Sequence, residues 1–167
     1  MKRLGMAVLA AACFSVLLVI GCGEDDQTKA EYENEVQKQI DLLYQVGRGE
    51  DIAGSALIFS SERQEAIRNV LPTLTVAMNS LPPGKSQRPH RHNSVAVSLV
   101  IQGEGCYSIV EGRRKDWSQW ATTVTPATSV HAHHNAGGKT AMFLIVQDGG
   151  IYYHTRALGF EFVEAKE

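Results

Sequence analysis

Gly84-Lys85-Ser86-Gln87-Arg88-Pro89-His90-Arg91-His92 is answered some forty residues later by Pro126-Ala127-Thr128-Ser129-Val130-His131-Ala132-His133-His134-Asn135. Side chains alternate with period two along a β-strand, so His90 and His92 share one face, and so do His131 and His133. Two imidazoles on one face can share a metal ion, and a third from a neighbouring strand completes a facial set. All six histidines of the chain lie between positions 90 and 154. A lone His-x-His says little, and a His-rich surface tract with incidental metal affinity is the plain alternative. The surrounding punctuation argues against that alternative. Gly84 stands six residues before His90, Gly103-Glu104-Gly105 closes the next apolar run, and Pro126 stands five before His131.

The period-two pattern extends both ways from this stretch. From Thr73 onward Leu74, Val76 and Met78 alternate with Thr75, Ala77 and Asn79, and Leu81-Pro82-Pro83-Gly84 turns the chain. Val95–Gln102, Cys106–Glu111, Ala121–Thr125 and Ala141–Val146 read as further strands. Asp148-Gly149-Gly150 is a break before a strand at Ile151–Thr155, and Gly159–Val163 is the last one. Many short strands with glycine-rich turns predict a sandwich or barrel, and with no internal repeat they predict a single one. Upstream the period is helical. Thr28-Lys29-Ala30-Glu31 reads as a capping box, Tyr32, Val36, Ile40 and Leu43 form one face, and Gly47 and Gly49 stop the helix. A shorter helix is expected over Glu62–Val70, behind Ser61 and ended by Pro72. The expected division is therefore a helical segment over 28–71 and an all-β barrel over 72–167.

The extreme N-terminus reads as targeting rather than structure. Lys2 and Arg3 precede an apolar run from Met6 to Ile20, too short to span a bilayer comfortably. The run ends in Val19-Ile20-Gly21-Cys22, which resembles a bacterial lipobox. The resemblance implies a signal peptide over 1–21, lipidation of Cys22 and a polar tether over 22–27. Several acyl chains would hold such a protein on the periplasmic face of the envelope, with Gly23 favouring the outer membrane. Cys13 would leave with the signal and Cys22 would be acylated. Only Cys106 then remains, so no intrachain disulfide can form, and Cys106 reads as a small buried hydrophobe. The chain has 16 basic and 18 acidic residues, and loss of Lys2 and Arg3 makes it more acidic still. No basic excess points to nucleic acid.

The two histidine stretches carry a family resemblance. Gly84 with five residues before His90-Arg-His92, and the closing Gly103, resemble the first cupin motif; Pro126, His131 and Asn135 resemble the second. Leu99-Val-Ile-Gln-Gly-Glu-Gly105, His131-Ala-His133-His-Asn135 and Asp148-Gly-Gly with Arg156-Ala-Leu-Gly-Phe-Glu-Phe162 are similar to the gentisate 1,2-dioxygenase branch. That resemblance covers about 72–163 and implies a single cupin jelly-roll barrel, with one or two N-terminal helices in front of it. It implies Fe(II), or another divalent metal, held by His90, His92 and His131. The departures are specific. The glutamate that many cupins place four or five residues after the second histidine is replaced by Ala96 and Val97. Trp120 and Thr128 stand where the second motif has glycines. Ser98 occupies the place of a carboxylate-holding arginine, and Asn79 that of a glutamine.

Three neutral imidazoles leave a divalent ion its full charge and open positions, which favours an anionic bidentate ligand and leaves room for O₂. The expected substrate is a small anionic hydroxy-aromatic or oxo acid, in a metal-dependent dioxygenase. The alternative is a non-catalytic envelope cupin that binds a metal or a small ligand. His133 is the candidate base for a substrate hydroxyl, or else a residue that orients a ligand. Asn79, Ser98 and Asp148 are candidate substrate contacts, with Arg68 or Arg156 as candidate arginines from another strand. His134 is expected to point away, and His154 to be a packed barrel histidine. A homo-oligomer and a membrane reached through the lipid anchor complete the expected partners.

Overall fold

The computed structural model describes residues 26–45 and 55–164. The signal peptide, Cys22, Gly47 and Gly49 lie outside these residues. The described residues form ten strands and two α-helices, in the order α1 (Asp26–Gln45), β1 (Ser55–Phe59), β2 (Thr75–Leu81), β3 (His90–His92), β4 (Ala96–Gln102), β5 (Cys106–Val110), β6 (Arg113–Asp116), β7 (Thr122–Thr125), β8 (His131–Asn135), β9 (Ala141–Gln147), α2 (Gly149–Thr155) and β10 (Phe160–Phe162). They form two five-stranded antiparallel sheets, ordered β1-β2-β9-β4-β7 and β10-β3-β8-β5-β6. This is the jelly roll the sequence implied.

The barrel interior is divided along its length. Leu81, Val100, Cys106, Trp117, Ala141 and Phe143 fill one end as an apolar floor. Phe143 is fully buried, and its ring lies 4.9 Å from that of Trp117. Toward the other end the same strands carry polar groups inward. Ser98 on β4 lies opposite Ile145, Ala96 opposite Gln147, and Asn79 opposite Phe143. The apolar floor drives collapse, about 25 cal/mol for each Å² of apolar surface buried, so the other end is free to carry chemistry.

Several elements differ from their sequence expectation. Ser55–Phe59, placed in the helical segment 28–71, is a strand paired with β2. Five residues with no clear alternation carry little signal of their own, and the partner decides them. α1 begins at Asp26, so it takes in the end of the expected tether, and Thr28 lies inside the first turn rather than capping it. The expected helix over Glu62–Val70 is a 3-10 helix over Glu62–Ile67, ended by Arg68 in the left-handed region. Arg113–Asp116, not foreseen, pairs with β5 through the turn at Glu111-Gly112, where both residues have positive φ as a two-residue hairpin requires. Ile151–Thr155, expected as a strand, belongs to α2. Gly150 brings α2 against the chain before β2: a Cβ there would stand 2.6 Å from the Pro72 carbonyl oxygen. His154 therefore lies exposed on α2 and is not a packed barrel histidine.

The two missing motif glycines leave a physical trace. Trp120 and Thr128 adopt φ of 66° and 65°, so the backbone keeps the conformation that glycine favours although the side chains do not. A left-handed residue with a Cβ costs about 1–2 kcal/mol, with a β-branched residue among the worst. At Thr128 the conformation is held by its N–H, which donates to the His92 carbonyl at 2.7 Å. Thr128→Gly should therefore raise stability by about 1 kcal/mol, measured by urea denaturation, despite the extra freedom it gives the unfolded chain. A loss of stability would show that Thr128 is unstrained or that its side chain matters more.

Candidate metal centre

Strand register brings the histidines together. His90 on β3 lies opposite His131 on β8, and β8 in turn places His131, His133 and Asn135 opposite Val110, Ser108 and Cys106 of β5. The alternation expected on β8 is what the barrel uses, because these three face the interior. The donor nitrogens of His90, His92 and His131 all lie within 4.8 Å of one another. Ring centroids are 4.2 Å apart for His90 and His131, and 4.8 Å for His92 and His131.

Each of these three imidazoles meets a backbone carbonyl at Nδ1, and His92 Nδ1 has the Ser94 hydroxyl beside it as well, at 3.0 Å. Nδ1 of His90 lies 2.8 Å from the Arg88 carbonyl oxygen, Nδ1 of His92 2.8 Å from that of Ser94, and Nδ1 of His131 2.9 Å from that of Ser129. A carbonyl only accepts, so Nδ1 carries the hydrogen and donates, leaving the Nε2 lone pair unprotonated. Partners of this kind fix the tautomer and ring orientation of a metal-ligating histidine. Burial holds the His90 imidazole below the ordinary range, and pushes His131 down to about 4. Both are therefore neutral at physiological pH, as a ligand must be. The residues present fit a divalent metal, with an all-nitrogen donor set and no acid. Ala96 and Val97 stand where a fourth, carboxylate ligand would be expected.

The three histidines line a cavity of about 240 Å³, small for a ligand pocket. Asn79, Ser98 and His133 join them there. Gln87, Ser94, Thr125 and Gln147 add neutral polar groups, while Ile145, Leu158 and Phe160 add apolar ones. Phe160 stacks on His90 with ring centroids 5.3 Å apart, so β10 forms one wall. An Asn93 side chain that bonds Ala157 O and Gly159 N ties that wall to the ligand strand. Gln87, Gln147 and Phe160 were not singled out from the sequence. Parity along β9 could have found Gln147, whereas Gln87 and Phe160 arrive from a loop and from the chain end.

Other predicted residues lie elsewhere. Asp148 is not among the cavity-lining residues; its Oδ1 accepts the Val95 N–H at 2.8 Å and so anchors the start of β4. Neither Arg68 nor Arg156 lines the cavity, since each caps a helix in the left-handed region. Arg91 is exposed and pairs with Glu161 across β3 and β10. His134 points away from the barrel, stacking on Tyr107 at 4.7 Å and bonding Ser86 Oγ. Asn135 is a structural clamp: its amide donates to Leu81 O and Lys139 O, and its Oδ1 accepts from Gly137 N and the Cys106 thiol. Cys106 is 2 % exposed, and burial pushes its thiol pKa up, as suits a small buried hydrophobe.

His92→Ala or His131→Ala should remove most bound divalent metal, read by elemental analysis, with the far-UV spectrum unchanged because the apolar floor does not include these rings. Unchanged metal content in either variant would remove the three histidines as ligands.

Residues 77–147 match the family model described as the cupin domain. In sequence the chain is 32% identical over 82 residues to a gentisate 1,2-dioxygenase of Ralstonia sp, covering 49% of this chain and 23% of that protein. It is 30% identical over 92 residues to a 5-nitrosalicylic acid 1,2-dioxygenase of Bradyrhizobium sp, covering 55% of this chain and 44% of that one. The chain thus spans less than half the length of either relative. In structure it resembles a variant salicylate 1,2-dioxygenase from Pseudoaminobacter salicylatoxidans solved with gentisate, with a TM-score of 0.69 at 23% identity, over 80% of this chain and 36% of that one. A cupin 2 domain-containing protein from Halorhodospira halophila shares the fold with a TM-score of 0.51 at 16% identity, over 61% of this chain and 68% of that one. The strand order and the inward histidines agree with these matches, and residues 77–147 carry the cupin domain on a fold shared with these solved dioxygenases.

Proposed function

We propose that this protein is a metal-dependent dioxygenase, with Fe(II) as its metal, acting on a small hydroxy-aromatic or oxo acid. The observation that carries this reading is the set of three imidazoles whose Nδ1 atoms meet backbone carbonyls and whose ligand nitrogens lie within 4.8 Å of one another. Iron(II) held there would supply a charged template that takes an anionic oxygen ligand and O₂ side by side. The chain's own residues then decide which ligand is accepted. Ser98, opposite Ile145, and Asn79 offer neutral hydrogen bonds, while Leu158 and Phe160 shield the ligand from water.

Among the described residues, no lysine or arginine lines the cavity. A carboxylate placed away from the metal would find only neutral partners. A bidentate, charge-assisted contact with arginine is roughly twice as strong as a neutral hydrogen bond, and its absence costs on the order of a hundredfold in binding. Ligands that spend their charge at the metal, such as catecholates, simple hydroxy-acids and diketonates, therefore suit the cavity better than gentisate.

Oxygen uptake by the iron-loaded chain, measured against hydroxybenzoates, catechols and diketones, tests the reading. We expect consumption with at least one chelating ligand that lacks a distal carboxylate, and turnover of gentisate at least a hundredfold slower. Rapid gentisate turnover would show that a cation reaches the cavity after all. No uptake with any of the panel would favour a metal-binding cupin without this catalysis.

The lipobox-like Val19-Ile20-Gly21-Cys22 supports a second part of the proposal, a lipid anchor at Cys22 on the bacterial envelope. Cys22→Ala should block globomycin-sensitive processing and move the protein out of the detergent phase. Partition that does not change would rule out this anchor.

A further inference from the structure

We infer that His133 presents a fixed N–H to the cavity as a hydrogen-bond donor, and that Trp117, acting through Ser108, sets this polarity. The inference rests on the cavity being the ligand site, but not on which reaction occurs there. It also gives His133 the opposite role from the base expected on sequence grounds.

Trp117 Nε1 donates to Ser108 Oγ at 2.8 Å, and an indole N–H can only donate. Ser108 Oγ lies 2.8 Å from His133 Nδ1. Ser108 is 2 % exposed, and no other hydrogen bond to its hydroxyl occurs among the described residues. A hydroxyl has one hydrogen, and a buried one left without an acceptor is costly. With Trp117 filling one of its lone pairs, Ser108 places its hydrogen on the acceptor within reach, His133 Nδ1. That nitrogen is then unprotonated, and the hydrogen of the neutral ring sits on Nε2, the edge turned from Ser108. His133 lines the cavity, and no group among the described residues bonds its Nε2.

The contrast with the neighbouring histidines is chemical. His90, His92 and His131 each meet a backbone carbonyl at Nδ1 and so show the cavity a lone pair; at His92 the Ser94 hydroxyl also lies 3.0 Å from Nδ1, but the carbonyl, which can only accept, is the nearer partner. His133 meets a hydroxyl whose other partner is a donor, and so shows a hydrogen. Three lone pairs suit a cation, and the one N–H beside them suits an electron-rich oxygen of whatever binds that cation, such as a catecholate or hydroxy-carboxylate oxygen. Ser108 and Trp117 touch no ligand in this scheme; they are positioning residues. Trp117 is fixed in turn by its packing on Phe143.

Long-range ¹H–¹⁵N correlation of the histidine side chains, on the full chain both metal-free and zinc-loaded, reads the tautomer directly. We expect a single Nε2–H form for His133 in both states, a mixture in Ser108→Ala, and return of the single form in Ser108→Thr. An Nδ1–H form in the unaltered chain would overturn the inference, since the Ser108 hydroxyl would then point elsewhere. So would an unchanged Nε2–H form in Ser108→Ala. Binding of 4-nitrocatechol to the zinc-loaded chain, followed by absorbance, gives a second measure that survives misfolding of the Ser108 variants. His133→Gln, whose amide N–H reaches the same place, should stay within about threefold, and His133→Phe should lose about tenfold or more. Equal affinity in all three would sink the donor role. Failure to take up zinc would strike the proposed metal site alone, because the tautomer is read in the metal-free chain as well.

Discussion

Four imidazoles converge inside a barrel narrow enough that apolar side chains could have filled it, and each needs a partner for its ring nitrogens. That requirement organises the site. Three of the rings answer it with a backbone carbonyl two residues away in sequence, Arg88, Ser94 and Ser129, so local chain geometry alone aims them. The fourth answers it across strands, through Ser108 and Trp117. An unpaired buried polar group costs about 1–3 kcal/mol, comparable to a sizeable part of a domain's net stability. The polar end of the barrel is therefore tolerable only because its hydrogen bonds are made.

The apolar end supplies what the polar end cannot. Phe143, Trp117, Val100 and Leu81 form a floor beneath the histidines, and Asn135 locks the β8 end to Leu81 and the following turn. Trp117 belongs to both halves: its ring packs in the floor and its N–H reaches up to Ser108. The floor thus fixes the position of a group that orients the site. Removal of a motif glycine at Thr128 shows how firmly this frame is imposed, since the backbone there keeps a positive φ against the preference of its own side chain.

The cavity also departs from what its relatives' names would suggest. A dioxygenase of a ring bearing a carboxylate needs some group to receive that carboxylate, and here every cavity-lining residue beyond the histidines is neutral. The replacement at Ser98 was visible in the sequence. That no other strand among the described residues supplies a cation was not, because Arg68 and Arg156 are placed by helix caps and Arg91 by its ion pair with Glu161.

Much of the architecture was written in local pattern. Alternation with period two fixed which histidines face together, and turn glycines separated most of the strands; both effects depend only on a residue and its immediate neighbours. The sequence therefore determined an all-β cupin and the trio His90, His92 and His131. Tertiary structure decided the rest. Ser55–Phe59 is a strand because β2 offers it a partner, and Ile151–Thr155 belongs to a helix whose first turn packs through Gly150 against Pro72 and Thr73. Asp148, predicted at the ligand, serves the Val95 amide instead, and His154, expected inside the barrel, stands on the surface. The polarity of His133 depends on which group meets its Nδ1, and Ser108 and Trp117 reach it only through strand pairing. No local pattern encodes such a contact, since a ring nitrogen takes its role from a partner that the folded chain alone brings near.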